Sequence, residues 1–376
     1  MIRRLAFLLP AGLALLAGLD AALLLLGLPA PVTTTRLPLV HGMLMVLGFV
    51  GTVIALERAV ALRRPWGLAA PALLGVGGVA LLSDVPLAVA QALLVAGTGA
   101  LAAVYVPLWR RTRDDSVLVQ LLGAVLAGCG ALLWWGGAAM PDVLPWLVGF
   151  VVTTIAGERL ELARVAMLGA RAEQTVLALC ITIAVACATT ALAPAVGHAL
   201  LGAALLALCA WLAVHDVARR TVRASGLARY MAWSLLAAYA WLAVAGAVWL
   251  LAGAQRSGPG YDAVLHAVFL GFTVSMIMAH APVILPAVLR IRLPYHPAMY
   301  VPVLVLHTTL LLRVAVGDAR GLPGVVQVGG VGNIVALLAF VATMLTAALA
   351  GRRPASRGSE PAPTPAPLDV PEEAHP

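Results

Sequence analysis

The chain has 376 residues, of which 62% are hydrophobic and only 11% carry charged side chains. Soluble domains contain about 45–50% apolar and about 25% charged residues, so this composition excludes a soluble globular protein and a largely disordered chain. The net charge is +8 at pH 7. Because the arginines cluster in short loops between apolar runs, this charge indicates membrane topology and not nucleic-acid binding.

The apolar runs predict an all-α integral membrane protein with twelve transmembrane helices, each close to the length that a bilayer requires. The predicted helices cover about 5–28, 37–62, 67–83, 86–108, 116–137, 143–168, 174–194, 197–215, 227–252, 261–289, 297–316 and 326–349. We expect one membrane domain over 1–353, followed by a disordered cytoplasmic tail rich in proline and alanine over 354–376.

The loops alternate in charge along the chain. One side has only the single arginines Arg36, Arg256 and Arg320. The other side carries arginine clusters, which are Arg3–Arg4, Arg63–Arg64, Arg110–Arg113, Arg164 with Arg171, Arg219–Arg223, Arg290 with Arg292, and Arg352–Arg353. The positive-inside rule therefore predicts that both termini lie in the cytoplasm. The N-terminal apolar run is interpreted as the first helix and not as a signal peptide.

A ten-residue pattern recurs in helices two, six and ten of this prediction. Each copy begins with Gly-Phe and has Thr or Ser at its fifth position. The first residues are Gly48, Gly149 and Gly271. The last residues, which we call the inner layer, are Glu57, Glu158 and His280. Since these helices are four apart, the pattern predicts three four-helix units, over about 1–112, 113–222 and 223–353, around a pseudo-threefold axis.

His41 and His266 lie a few residues into helices two and ten, at matched depth near the outer face. An ionisable side chain within a span is costly and indicates a functional site. Neutral imidazole is the usual axial ligand of haem, so we predict a haem b held between His41 and His266. The alternative is that each histidine forms a hydrogen bond with a neighbouring helix.

Other polar residues at similar depth are candidates for the edge of this haem site. Arg313 and Arg320 are candidates for pairing with the propionates, because a guanidinium matches a carboxylate in two hydrogen bonds. Asp20 is a candidate for the same edge, or for orienting His41. His307 lies mid-membrane on helix eleven, as either a ligand of a second centre or a bridge between helices.

The inner layer lies too far from the outer histidines to share their site. Glu57 is sixteen residues after His41, about 24 Å along a helix. Three converging ionisable side chains predict a cation site or the start of a proton path. The alternative is that they form ion pairs with Arg58 and Arg159.

The chain resembles the NnrS family, bacterial haem- and copper-containing membrane proteins linked to nitric oxide tolerance, and is distantly similar to the catalytic subunit of the haem–copper oxidases. The segments that carry the resemblance are His41-Gly42-Met43-Leu44, Gly149-Phe150 through Arg159, and His266-Ala267 through Met276. The resemblance implies a multi-pass protein of the bacterial inner membrane with haem and a further candidate metal, copper. It also implies nitric oxide or a respiratory redox protein as partner and, if the chain is an enzyme, an oxidoreductase.

The sequence departs from these families at several positions. Gly42 stands where NnrS-like proteins often have Glu, and helices six and seven lack the histidines of the oxidase copper site. Two other functions therefore remain open. One is an ion-coupled transporter that uses the inner layer, with helix ten interrupted at Pro282 and Pro286. The other is an assembly or metal-delivery partner of a respiratory complex.

Overall fold

A computed structural model describes residues 2–164 and 170–351, and it contains no strand in these ranges. Eleven helices of the described part are long and apolar enough to cross a membrane, and Pro65–Leu81 is a shorter apolar helix. The expectation of an all-α, multi-pass membrane protein is confirmed. The predicted tail over 354–376 lies outside the described residues.

The helices follow the apolar runs closely. In chain order they are α1 Ile2–Leu25, α2 Arg36–Leu62, α3 Pro65–Leu81, α4 Leu87–Thr112, α5 Asp115–Trp135, α6 Met140–Arg164, α7 Ala170–Leu192, α8 Pro194–His215, α9 Gly226–Ala252, α10 Gly258–Leu289, α11 Pro297–Asp318 and α12 Pro323–Ala350. A single helical turn, Ala218–Thr221, lies between α8 and α9.

Charged residues begin and end several helices. The side chain of Asp114 caps α5 by accepting a hydrogen bond of 2.8 Å from the backbone nitrogen of Ser116. Arg63, Arg113 and Arg290 follow α2, α4 and α10 in the left-handed conformation, with φ of 58°, 53° and 56°. Glycine usually takes this position, but a cation at a helix C-terminus interacts favourably with the helix dipole.

The helices pack largely in chain order. Contacts join α4 to α5 and α8 to α9, and α12 returns to contact α1. Inside this arrangement, α2 and α6 each contact α10. Small residues allow some helices to approach closely: a Cβ on Gly202 of α8 would lie 2.5 Å from the carbonyl oxygen of Gly246 on α9. Only glycine fits at that crossing.

The repeated pattern has a matching local structure in α2 and α10. Each helix contains a π-helical segment, Leu44–Gly51 and Ala267–Val274, which begins four residues before the pattern glycine and ends three residues after it. The corresponding part of α6 is α-helical, but Thr52 and Thr153 donate the same 2.7 Å hydrogen bond to the carbonyls of their pattern glycines. π-helical segments are rare and are frequent at functional sites.

Candidate functional site

A cavity of about 380 Å³ lies among α1, α2, α6, α10, α11 and α12. Its walls are mostly apolar, and its polar lining includes His41, His266, Arg313 and Asn333. This volume is within the range of about 300–1,000 Å³ that small-molecule sites occupy. The structure therefore brings the two predicted outer histidines and Arg313 to one cavity.

The imidazole of His41 is oriented by a backbone carbonyl. Its Nδ1 lies 3.0 Å from the carbonyl oxygen of Gly18 on α1. A carbonyl only accepts, so Nδ1 carries the proton and Nε2 carries the lone pair. Within the described ranges, His41 Nε2 has no hydrogen-bond partner. Next to it, a Cβ on Gly42 would lie 3.3 Å from Met140 Sδ, so a thioether occupies the space beside that glycine.

His266 is held in the same tautomer by a neighbour on its own helix. Its Nδ1 lies 3.0 Å from the backbone oxygen of Asp262 and 3.2 Å from Asp262 Oδ1. Asp262 in turn accepts two hydrogen bonds from Arg313, of 2.8 Å and 2.7 Å. The guanidinium therefore holds the carboxylate, and the carboxylate holds the imidazole. Sequence reasoning missed Asp262, although its position four residues before His266 was a usable signal.

Arg313 lies in a third π-helical segment, Leu312–Asp318, and is 8% exposed. Two of its nitrogens bond to Asp262, and Nη1 has no partner among the described residues. A Cβ on Gly330 of α12 would lie 3.2 Å from that nitrogen, so the glycine leaves it room. Arg320 is exposed and does not line the cavity. The predicted arginine pair is therefore a single buried arginine with one free nitrogen.

Asp20 does not contact His41. Its Oδ1 accepts a hydrogen bond of 3.2 Å from the backbone nitrogen of Val32, and it lines a different cavity. In this structure the Gly18 carbonyl, two residues earlier on α1, accepts from His41 in place of Asp20.

His307 bridges three helices. Its Nδ1 accepts a hydrogen bond of 2.9 Å from Trp241 Nε1 of α9. Its Nε2 lies 3.4 Å from Ser275 Oγ of α10. Both ring nitrogens have partners and the residue does not line the cavity, so this geometry favours the bridging alternative.

The inner layer is built into an ion-pair network. Arg58 lies 2.5 Å from Glu57, 3.9 Å from Glu158 and 3.6 Å from Glu161. Gln120 accepts a hydrogen bond of 3.0 Å from Arg58. One guanidinium therefore faces three carboxylates, two of which the sequence pattern singled out.

The third member of the layer lies in a second cluster, around Arg159. Arg159 Nη1 lies 3.0 Å from His280 Nε2, and Arg159 donates two hydrogen bonds of 2.7 Å to Asp216. Tyr239 adds a hydrogen bond of 2.5 Å to the same carboxylate. Burial raises the pKa of the Asp216 carboxyl, but the hydrogen bonds and positive charge of Arg159, together with the hydrogen bonds from Ala218 and Tyr239, outweigh burial and hold that pKa below its ordinary value. The ion-pair alternative describes these contacts.

Over residues 2–164 and 170–351, no three histidine, cysteine or carboxylate side chains converge on a metal site. A haem requires fewer protein ligands, since the porphyrin supplies the equatorial nitrogens and the protein adds axial ones. The pair of histidines in the outer cavity matches that smaller requirement.

Comparison with known proteins identifies a family. A family model described as a domain of unknown function, DUF8744, matches residues 4–349, and the chain belongs to this family. Neither the curated proteins nor the solved structures give a match.

Proposed function

We propose that this member of the DUF8744 family is a haem-binding protein of the bacterial inner membrane, with haem b held between α2 and α10 by His41 and His266. One observation carries the proposal. The two imidazoles line a single cavity, and each has its Nδ1 bound to an oxygen, which leaves Nε2 as the coordinating atom. Bound haem would supply one-electron redox chemistry or, with an open position, binding of a diatomic gas.

The remaining lining supports this ligand. The apolar walls suit a macrocycle, and the free nitrogen of Arg313 suits a carboxylate at its edge. Asp262 strengthens His266 as a ligand, because a carboxylate on the far ring nitrogen raises the basicity of the other nitrogen. No described residues are assigned to copper.

A finer architecture belongs to the same proposal: twelve spans, cytoplasmic termini and three four-helix units around a pseudo-threefold axis. The π-helical segments at matching positions in α2 and α10 support it. The contact of α12 with α1 also supports it, because the last unit then meets the first.

The link to nitric oxide or respiration comes from the resemblance to NnrS proteins. If both His41 and His266 held the haem, the bound group would supply electron transfer. If only one of them held it, the bound group would supply binding of nitric oxide. Spectra of the reduced protein before and after addition of nitric oxide distinguish these two modes.

The proposal is tested by optical spectra of the purified protein, oxidised and dithionite-reduced. We expect a sharp b-type band that is lost or shifted in His41→Ala and in His266→Ala. The matched control is His215→Ala, since His215 also contacts the carbonyl four residues earlier, at 3.0 Å, but lies outside the cavity. A colourless protein from haem-replete cells would overturn the proposal, as would a band that both cavity variants retain unchanged.

An ion-coupled transporter is the second candidate, and one observation favours it. In the two inner clusters, only two guanidiniums, of Arg58 and Arg159, face four carboxylates, which are those of Glu57, Glu158, Glu161 and Asp216. A proton or a cation would reduce that excess of negative charge. The test is proton- or cation-dependent flux in proteoliposomes. Flux that Glu158→Gln abolishes supports the transporter, and the absence of flux in the unmodified protein rejects it.

A further inference from the structure

A second cavity, of about 550 Å³, lies among α1, α2, α3 and α12. Leu19 and Ile334 line both this cavity and the histidine cavity, so the two are neighbours separated by side chains. Its apolar wall includes Leu13, Leu16 and Leu338, which are 53%, 52% and 44% exposed. In a membrane-spanning bundle, apolar side chains this exposed face lipid. The cavity is therefore a groove that opens sideways toward the acyl chains.

A guanidinium with unused donors lies in this groove. Arg36 is the first residue of α2, and its Nη1 donates to the carbonyls of Ser83 and Val85 at 2.6 Å and 2.8 Å. These bonds fix the side chain against the end of α3. Nε and Nη2 of the same guanidinium are buried and have no partner among the described residues. Buried donors without partners are costly, so a ligand that supplies acceptors would be stabilised there.

A carboxylate with an unused oxygen lines the same groove. Asp20 Oδ1 accepts a hydrogen bond from Val32, but Oδ2 is buried and has no partner among the described residues. No ion pair joins Asp20 to Arg36 in the described ranges. The exposed Asp84 also lines the cavity. The groove thus offers separate positive and negative groups, each with a bonding position to fill.

We propose that this groove binds a phospholipid with a primary ammonium headgroup, of the phosphatidylethanolamine type. The phosphate accepts from Nε and Nη2 of Arg36, because these two donors match two phosphate oxygens. The ammonium donates to Asp20 Oδ2, and the acyl chains follow the exposed leucines. A purely anionic headgroup would be repelled by two carboxylates, and a quaternary ammonium has no N–H to donate. This inference does not depend on haem binding.

The test uses purified protein, stripped of lipid and exchanged with dioleoyl phosphatidylethanolamine, phosphatidylcholine or phosphatidylglycerol. Bound lipid is counted by native mass spectrometry in pairwise competition. We expect the ethanolamine lipid to be retained roughly tenfold over the choline lipid, the size of one charged hydrogen bond. Equal retention of these two lipids by the unmodified protein would overturn the proposal.

Two variants test which residue binds the ammonium and which binds the phosphate of the headgroup. Asp20→Asn is isosteric and keeps an oxygen for Val32, and we expect it to remove the preference for ethanolamine over choline. Arg36→Gln should weaken retention of all three lipids. The control is Arg320→Gln, which should leave lipid retention unchanged because Arg320 is exposed and lies outside the groove. Because Arg36→Gln also removes the bonds to Ser83 and Val85, its folding is checked by gel filtration, and Asp20→Asn carries the decision. A preference that survives Asp20→Asn would reject the ammonium contact.

Discussion

The carboxylate of Asp262 lies between His266 and Arg313, 3.2 Å from the imidazole Nδ1 and 2.7 Å from the guanidinium Nη2. Asp262 and His266 are one helical turn apart on α10, whereas Arg313 comes from α11. The contact therefore fixes the histidine relative to two helices at once. It explains why the ionisable His266 is stable at this depth, because its partner Asp262 is charged and is itself paired with Arg313.

Asp262→Asn should weaken haem binding by about 10–100-fold, as loss of the group that orients a ligating histidine commonly does. Haem occupancy per protein, measured in a titration with haemin, checks this expectation. The matched control is Asp142→Asn, which disrupts the exposed Asp142–Arg256 ion pair and should leave occupancy unchanged. Equal occupancy in both variants would show that Asp262 does not orient a ligand.

His307→Leu should leave the haem spectrum unchanged and destabilise the protein. The substitution removes the acceptor for Trp241 Nε1, and a buried donor without a partner costs about 1–3 kcal/mol. Thermal unfolding and the reduced spectrum, recorded on the same sample, check both halves. Loss of the haem band in a protein that is still folded would instead make His307 a ligand.

Arg159→Met should destabilise the bundle by about 3–5 kcal/mol, because it leaves the buried carboxylate of Asp216 without its charged partner. The double variant Arg159→Met/Asp216→Leu should recover part of the loss, since no buried charge is then unpaired. The thermal unfolding midpoint in detergent is the measurement. A double variant less stable than either single variant would contradict this account of the pair.

The stabilising effect of Asp216 should depend on pH. Its pKa is lower in the folded protein than in the unfolded chain, so the unfolded state binds the proton more readily. The contribution is therefore fully present above the ordinary aspartate pKa of about 3.9 and is lost as pH falls through the folded value. Unfolding midpoints of the unmodified protein and Asp216→Asn should differ at pH 7 and converge in acid. A difference that grows in acid would reverse the assigned direction.

The sequence predicts those features that depend on residues close together in the chain. The apolar runs located the helices, because length and hydropathy suffice for that. The matched depth of His41 and His266 within their helices also predicted that they would be neighbours, and both line one cavity. The final position of the repeated pattern likewise pointed to Glu57 and Glu158, both in contact with Arg58.

The remaining contacts depend on which way a helix face turns, and that is decided by packing between distant segments. Asp20 shares the predicted depth of His41, but its carboxylate turns toward Val32. His307 lies close in sequence to Arg313, yet it faces Trp241 of α9 and not the cavity. Asp216 was missed because it follows the end of α8, where a charged residue resembles an ordinary loop residue.

The π-helical segments of α2 and α10 have a further consequence for how the two ends of the protein are linked. A π turn accommodates one extra residue, so each segment offsets the angular phase of everything on one side relative to the other. In both helices the outer histidine lies on one side of the segment and the inner-layer residue on the other. Deleting one residue within Leu44–Gly51 would restore regular winding and swing His41 by about 100° relative to Glu57. The winding of α2 and α10 therefore sets the angular relation between the outer cavity and the inner layer.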